Sequence, residues 1–300
     1  MSLLPSATEI VCALGLEDRL VGISHSCDYP ESIVDRPRLS RPRAKLDGLS
    51  SGEIDEAIRA ALRDYGSVYD IDLDRLAALE PDLILTQGIC DVCAVPERQV
   101  VAAIDPTLKS GPDKTLRLKR NDSLGPLFRV GTEILSLDAH DLSAIFQSIR
   151  DVGCATGTSD RAEQLSRDMQ RRIDAVRTRL AGRARPRVLA LEWLDPPYVP
   201  GHWVPELIEA AGGELLAGTA RRPSYRMEWT ELRALEPDVV LIMPCGFGLE
   251  EARREAERYT SELRRLGGRV QWLDASAYFS RSGPRVVDGL ELLESAIFSM

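Results

Sequence analysis

The 300-residue chain contains no uninterrupted apolar run of the roughly 18 residues that a membrane-spanning helix needs, so a span is excluded. It also lacks a basic stripe. Its formal net charge is −9, which argues against a nucleic-acid partner whose phosphates would need Lys and Arg on one face. No Gly-x-Gly-x-x-Gly follows a strand-like run, and neither a Gly-x-x-x-x-Gly-Lys loop nor a Gly-x-Ser-x-Gly elbow is present. Histidine is limited to His25, His140 and His202, with no carboxylate spaced to pair with any of them on one helix face. General-base catalysis therefore has few candidates, and the expectation is a protein that is not an enzyme. The first residues show no basic segment followed by an apolar one, so no signal peptide is visible. As the sequence stands the expected compartment is the cytoplasm, or the periplasm or cell surface if the start is truncated. Met1 to Pro5 reads as the tail of a strand whose beginning is missing.

What the chain does have is one long amphipathic helix with similar sequence on either side of it. Over Asp160 to Ala181 apolar side chains fall at Ala162, Leu165, Met169, Ile173, Val176 and Leu180, one stripe at a 3.6-residue period. Asp160 with Glu163 reads as the N-cap pair and Gly182 as the residue that stops the helix. LAALEPDLIL (76–85) and LRALEPDVVL (232–241) share six of their first seven residues. TEIVCALG (8–15) parallels PELIEAAG (205–212), and ILSLDA (134–139) parallels VQWLDA (270–275). Repetition at one long offset means two copies of a supersecondary unit. With 44% apolar content there is material for two cores. The predicted fold is α/β, with two Rossmann-like lobes joined by one long rigid α-helix: residues 1–156, 157–182 and 183–300.

Predicted elements of the first lobe are a helix over Glu9–Leu14 with Ser6 or Thr8 as its N-cap, and strands over Leu20–Ser24, Asp82–Thr86 and Ile134–Leu137. The segment from Asp105 to Gly125 is basic and irregular and reads as an exposed insertion. In the second lobe, strands are predicted over Arg187–Leu191, Glu214–Ala217 and Asp238–Met243. Of the six cysteines, Cys12 and Cys154 read as small packed hydrophobes.

Ligands of open α/β sheets bind beyond the carboxyl ends of parallel strands. The residues that follow the predicted strands are therefore candidates: Ser6, His25, Cys27, Gln87, Cys90 and Cys93 in the first lobe, and Trp193, Tyr198, His202, Trp203, Cys245, Phe247, Tyr278, Phe279 and Arg281 in the second. Aromatics are only 5% of the chain, so their gathering in loops points to a broad, flat, partly apolar ligand. Trp272 reads as a core residue of its strand, and Trp193 as either core or site. His25, Cys27, Cys90, Cys93, His202 and Cys245 have the residue types of a soft-metal site, with loop packing and redox chemistry as the competing readings.

Several of these motifs together, SLLPSATEIVCALG (2–15), SHSCDYP (24–30), Cys90-Asp91-Val92-Cys93, GHWVPE (201–206), PCGF (244–247) and AYFSRSGPR (277–285), resemble the cobalamin-binding branch of the iron-siderophore and cobalamin substrate-binding proteins of ABC importers. That resemblance covers nearly the whole chain and implies a class III periplasmic-binding-protein-like fold. It implies a cobalamin or related corrinoid lying flat in an interlobe cleft between aromatic side chains, for which Trp193, Trp203 and Tyr278 are the available positions. An ABC importer permease is the implied partner and a monomer the implied state. The Cys- and His-bearing loops resemble an unexported subgroup, which leaves intracellular corrinoid binding open. A cytosolic metal- or tetrapyrrole-handling enzyme or metallochaperone is the alternative from another class, with a bound metal ion.

Overall fold

A computed structural model describes residues 1–89, 92, 94–104, 115–117 and 132–299. By backbone contacts the chain divides into two compact units. The first comprises Met1–Leu46, Ala57–Asp138 and Gln147–Leu165; the second comprises Asp47–Glu56, Ala139–Phe146 and Ser166–Met300.

The first unit begins with residues that pair rather than coil. Ser2 forms parallel bridges to both Ile23 and Leu85, and Ile23 in turn to Arg38. Helix α1 (Pro5–Ala13) follows at once, with Leu4 in the cap position. It starts a turn earlier than the Ser/Thr capping pattern predicts because Pro5 presets a helical φ and has no N–H to leave unpaired. Ser6 and Thr8 therefore lie inside the helix, and Thr8 Oγ1 donates to Ser2 Oγ at 2.8 Å. The strand predicted at Leu20–Ser24 shrinks to the bridge at Ile23. Next come β1 (Ser40–Pro42), α2 (Ser51–Tyr65), β2 (Tyr69–Ile71), antiparallel to β1, and α3 (Leu73–Ala78), capped by the Asp72 carboxylate. Strand β3 (Leu83–Thr86), α4 (Glu97–Ile104), β4 (Thr115–Arg117) and β5 (Glu133–Ser136) complete a sheet of order β3-β5-β4, with β3 and β5 parallel. Its core gathers Leu3, Leu39, Leu76, Ile84, Val100 and Ile134. Apart from Thr115–Arg117, the basic stretch predicted as an insertion lies outside the described residues.

Helices α5 (Leu142–Thr156) and α6 (Ser159–Leu180) follow. They approach closely where Gly153 meets Ala162: a Cβ on Gly153 would sit 2.5 Å from that of Ala162. In α6, Ala162, Met169, Ile173, Val176 and Leu180 are buried and Leu165 is half-buried, as the stripe predicts. Asp160 lies in the first turn rather than at the cap. Gly182 adopts φ +78°, where only glycine is unstrained, and Arg183 N–H closes the end on Leu180 O at 3.1 Å. Cys154 is exposed on α5, not packed.

The second unit is built on β6 (Arg187–Leu191), a run of buried aliphatics whose continuous apolar character belongs to a strand covered on both faces. Hairpin strands β7 (Trp193–Leu194) and β8 (Pro197–Val199) follow, then α7 (Val204–Ala210), β9 (Glu214–Leu215), β10 (Tyr225–Arg226), α8 (Trp229–Arg233), β11 (Val239–Ile242), α9 (Leu249–Arg258), α10 (Thr260–Leu266), β12 (Arg269–Trp272), α11 (Ala275–Tyr278) and α12 (Val286–Phe298). The parallel sheet has the order β12-β11-β6-β9, and a separate antiparallel ribbon the order β10-β8-β7. Leu189, Leu191, Val199, Leu232, Val240 and Ile242 form the core. Trp272, predicted as core, is 40% exposed with the Arg253 guanidinium 5.9 Å from its ring centroid, because β12 is the edge strand.

Candidate functional site

At the carboxyl end of β6 the chain leaves the core and turns through Asp195-Pro196-Pro197. The register of β7 with β8 sets Trp193 opposite Tyr198, and Phe247 meets the Trp193 ring edge-on with centroids 5.4 Å apart. The loop that carries Phe247 is tied down from both sides. Cys245 N–H donates to Glu192 O at 2.9 Å, Gly246 N–H to Ser280 Oγ at 3.0 Å, and Ser276 N–H to Phe247 O at 2.9 Å. The ends of β6, β11 and β12 thus assemble Trp193, Tyr198, Cys245, Phe247 and Ser280, in the place where parallel sheets bind ligands. The Trp193 indole N–H is engaged by Ser51 O at 3.2 Å and Asp195 O at 3.1 Å, which fixes the ring's orientation. Tyr278 is half-buried with the Arg285 guanidinium 5.6 Å from its ring centroid. Phe279, by contrast, points inward at 3% exposure, and a Cβ on Gly289 would lie 3.1 Å from its ring; it is core and corrects the expectation of a ligand contact. Arg281 is also buried, donating to Ser276 Oγ at 3.3 Å.

A second cluster forms where Gly201-His202-Trp203 enters α7. His202 adopts φ +52°, a costly conformation for a non-glycine residue. It is held there by its N–H on Arg222 O at 2.8 Å and by Arg221 N–H on its own carbonyl at 3.0 Å. Its ring lies 5.8 Å from that of His140 and 5.9 Å from that of Trp203. Burial, and then the neighbouring His140, hold the His202 pKa below the usual histidine value. His202 Nδ1 and the Trp203 indole N–H are buried without a hydrogen-bond partner among the described residues. Asp141 and Glu206 border the cluster: Arg221 Nε lies 2.8 Å from Asp141 Oδ2, and Glu206 Oε2 accepts from Leu142 N–H at 2.8 Å.

In the first unit, His25 lies over Tyr69, with ring centroids 5.1 Å apart, and its Nδ1 is 2.9 Å from Ser40 Oγ. Burial, followed by the Arg38 charge, lowers its pKa. The Tyr69 hydroxyl donates to Val92 O at 2.5 Å, so Val92, one of the two residues that separate Cys90 from Cys93 in the sequence, is anchored to the ring that His25 covers. Cys90 and Cys93 themselves lie outside the described residues. Cys27 is 1% exposed, with its Sγ 3.1 Å from Thr8 Oγ1 and 3.4 Å from Ser24 Oγ. Ser6 is buried on α1, and Gln87 is buried with its amide donating to Ala94 O at 3.2 Å. Among the described residues no group of three or more His, Cys, Asp or Glu side chains is placed to hold a metal ion. Sequence reasoning did not single out Tyr69, His140 or Glu192. Tyr69 opens β2 and Glu192 is the one residue between β6 and β7, neither within a chemical motif, and His140 meets His202 only through the tertiary fold.

The sequence matches the periplasmic binding protein family over residues 1–261. A vitamin B12-binding protein of Vibrio cholerae is 20% identical over 294 residues, covering 97% of this chain and 86% of that protein. Among solved structures, the periplasmic vitamin B12 binding protein of Vibrio cholerae superposes with a TM-score of 0.66 at 19% identity, covering 99% of this chain and 94% of that one. A periplasmic heme binding protein from Pseudomonas aeruginosa superposes with a TM-score of 0.64 at 20% identity, covering 99% and 91%.

Proposed function

Because the chain belongs to the periplasmic binding protein family, we propose that it binds a corrinoid, or a similar planar metal chelate, without transforming it, and passes it to an ABC importer permease. The observation that carries this reading is the aromatic surface of Trp193, Tyr198 and Phe247 at the carboxyl ends of the second unit's strands. Ring systems of this kind give large, stiff contact area to a flat macrocycle at low entropic cost. Burial lowers the His202 pKa, which favours the uncharged imidazole that ligates metal. The relatives named for vitamin B12 and heme support a ligand class of tetrapyrrole-like chelates. With this goes the proposal that residues 1–156 and 183–300 act as two lobes with residues 157–182 between them. A site of action in the periplasm accords with the family; handling of the same ligand inside the cell is the other location the proposal allows.

The test is a visible-range titration of the protein with hydroxocobalamin and, separately, with haemin. A stoichiometric spectral shift with either supports the reading and names the macrocycle. No shift with both, in protein shown to be folded, sinks it.

A further inference from the structure

Glu192 is the residue on which the candidate ligand surface of the second unit converges. Its N–H donates to Tyr198 O and its C=O accepts from Cys245 N–H, both at 2.9 Å. The backbone of one residue thus joins β8 to the loop that carries Phe247. Its carboxyl does the same for a third segment. Ser224 Oγ donates to Glu192 Oε2, and the Gly201 backbone amide acts on the same carboxyl in the sense that lowers its pKa. Gly201 and Ser224 flank a ladder made by Pro197–Val199 with Tyr225–Arg226 and continued by His202 N–H on Arg222 O. The ladder is tight enough that a Cβ on Gly201 would meet Arg222 O at 2.3 Å and Ser224 N at 2.4 Å. The same ladder presents His202 and Trp203.

We propose that Glu192 is a positioning residue for the ligand surface, its carboxyl locking the His202–Trp203 ladder against the strand end that carries Trp193. It acts through those side chains and not by touching the ligand. The inference rests on the corrinoid or metal-chelate reading given above. Loss of water around the carboxyl raises its pKa to about 7, so near neutrality part of the population carries a proton there and bonds as a neutral acid. A glutamine amide, which also offers a carbonyl oxygen to the Ser224 hydroxyl, keeps that bond; alanine leaves the hydroxyl without it.

The experiment compares full-length parent protein with Glu192→Gln, Glu192→Ala, Ser224→Ala and the Glu192→Ala/Ser224→Ala double variant, each checked by circular dichroism. Affinity for hydroxocobalamin, or for haemin if that is what the parent binds, is expected to stay within about threefold for the glutamine variant and to fall at least tenfold for Glu192→Ala. Ser224→Ala is expected to fall less, with the double variant no weaker than Glu192→Ala, as for two residues acting through one bond. Unchanged affinity in Glu192→Ala overturns the proposal, and so do losses that add in the double variant. If the parent binds neither macrocycle, the functional reading has failed, and hydrogen exchange then decides the positioning role by itself. Glu192→Ala must speed exchange of the amides in residues 198–203 and 222–226, with the glutamine variant at parent rates. Equal rates in all variants overturn it.

Discussion

Gly201 shows how far one side chain is constrained by space alone. Its φ is not in the left-handed region, so backbone conformation would admit another residue. The bar is the peptide backbone of Arg222 to Ser224, which a Cβ would approach to 2.3–2.6 Å. Backbone cannot swing aside as a flexible side chain does, so Gly201→Ala is expected to cost about 1–3 kcal/mol or more. A lowered urea midpoint at unchanged slope is the signature to look for. Glu192 contributes one pH dependence. Its folded pKa of about 7 lies above the about 4.3 of an unfolded chain, so between those values the fold holds a proton that the unfolded state has released. Stability from this group is full below about pH 4.3 and is lost as pH climbs toward 7. Thermal melts at pH 5 and pH 8 should therefore show the parent losing several degrees relative to Glu192→Gln. An identical pH slope in the two proteins would remove this account.

Among the elements, α6 is the one most completely readable in advance, because a 3.6-residue stripe maintained over 22 residues leaves no other period to fit. Strands β6 and β11 were legible for a related reason: aliphatic runs bounded by turns, one of them inside a repeated segment. Helix α1 began early because proline at a first helical position outweighed the Ser and Thr after it. Trp272 was misplaced because residue type does not distinguish an edge strand from a central one; the sheet order does. The candidate site is a set of loops after strands that the sequence offers, but its contacts are not in the sequence: Trp193 with Phe247 and His140 with His202 are brought together only by folding. The polar face of α6 is not idle: Arg172 pairs bidentately with Glu291 at 3.0 and 2.8 Å and with Asp288 at 2.6 Å on α12. These partners are all partly exposed, so Arg172→Met is expected to cost only about 1 kcal/mol at low salt. Salt near 1 M, where the screening length falls to about 3 Å, should shrink that difference in parallel urea melts. A difference that persists undiminished would mean that packing of the Arg172 stem, and not its charge, holds the helices.

Taken as a whole, the molecule carries net charge −9, and among its described residues no helix is long and apolar enough to cross a membrane. Its four tryptophans occupy unlike surroundings. Trp272 stands at the edge of its sheet, Trp203 is buried, Trp193 is hydrogen-bonded within the aromatic surface, and Trp229 stacks on Tyr259 at 6.3 Å. Acrylamide should therefore quench a red-shifted fraction of the ultraviolet emission that Trp272→Phe removes, leaving a bluer, protected remainder. If quenching in that variant matched the parent, the edge-strand placement of Trp272 would be wrong. Because Trp272 lies outside the candidate surface, its fluorescence serves as an internal standard against which dimming of Trp193 by a bound, visibly absorbing macrocycle can be read without any added label.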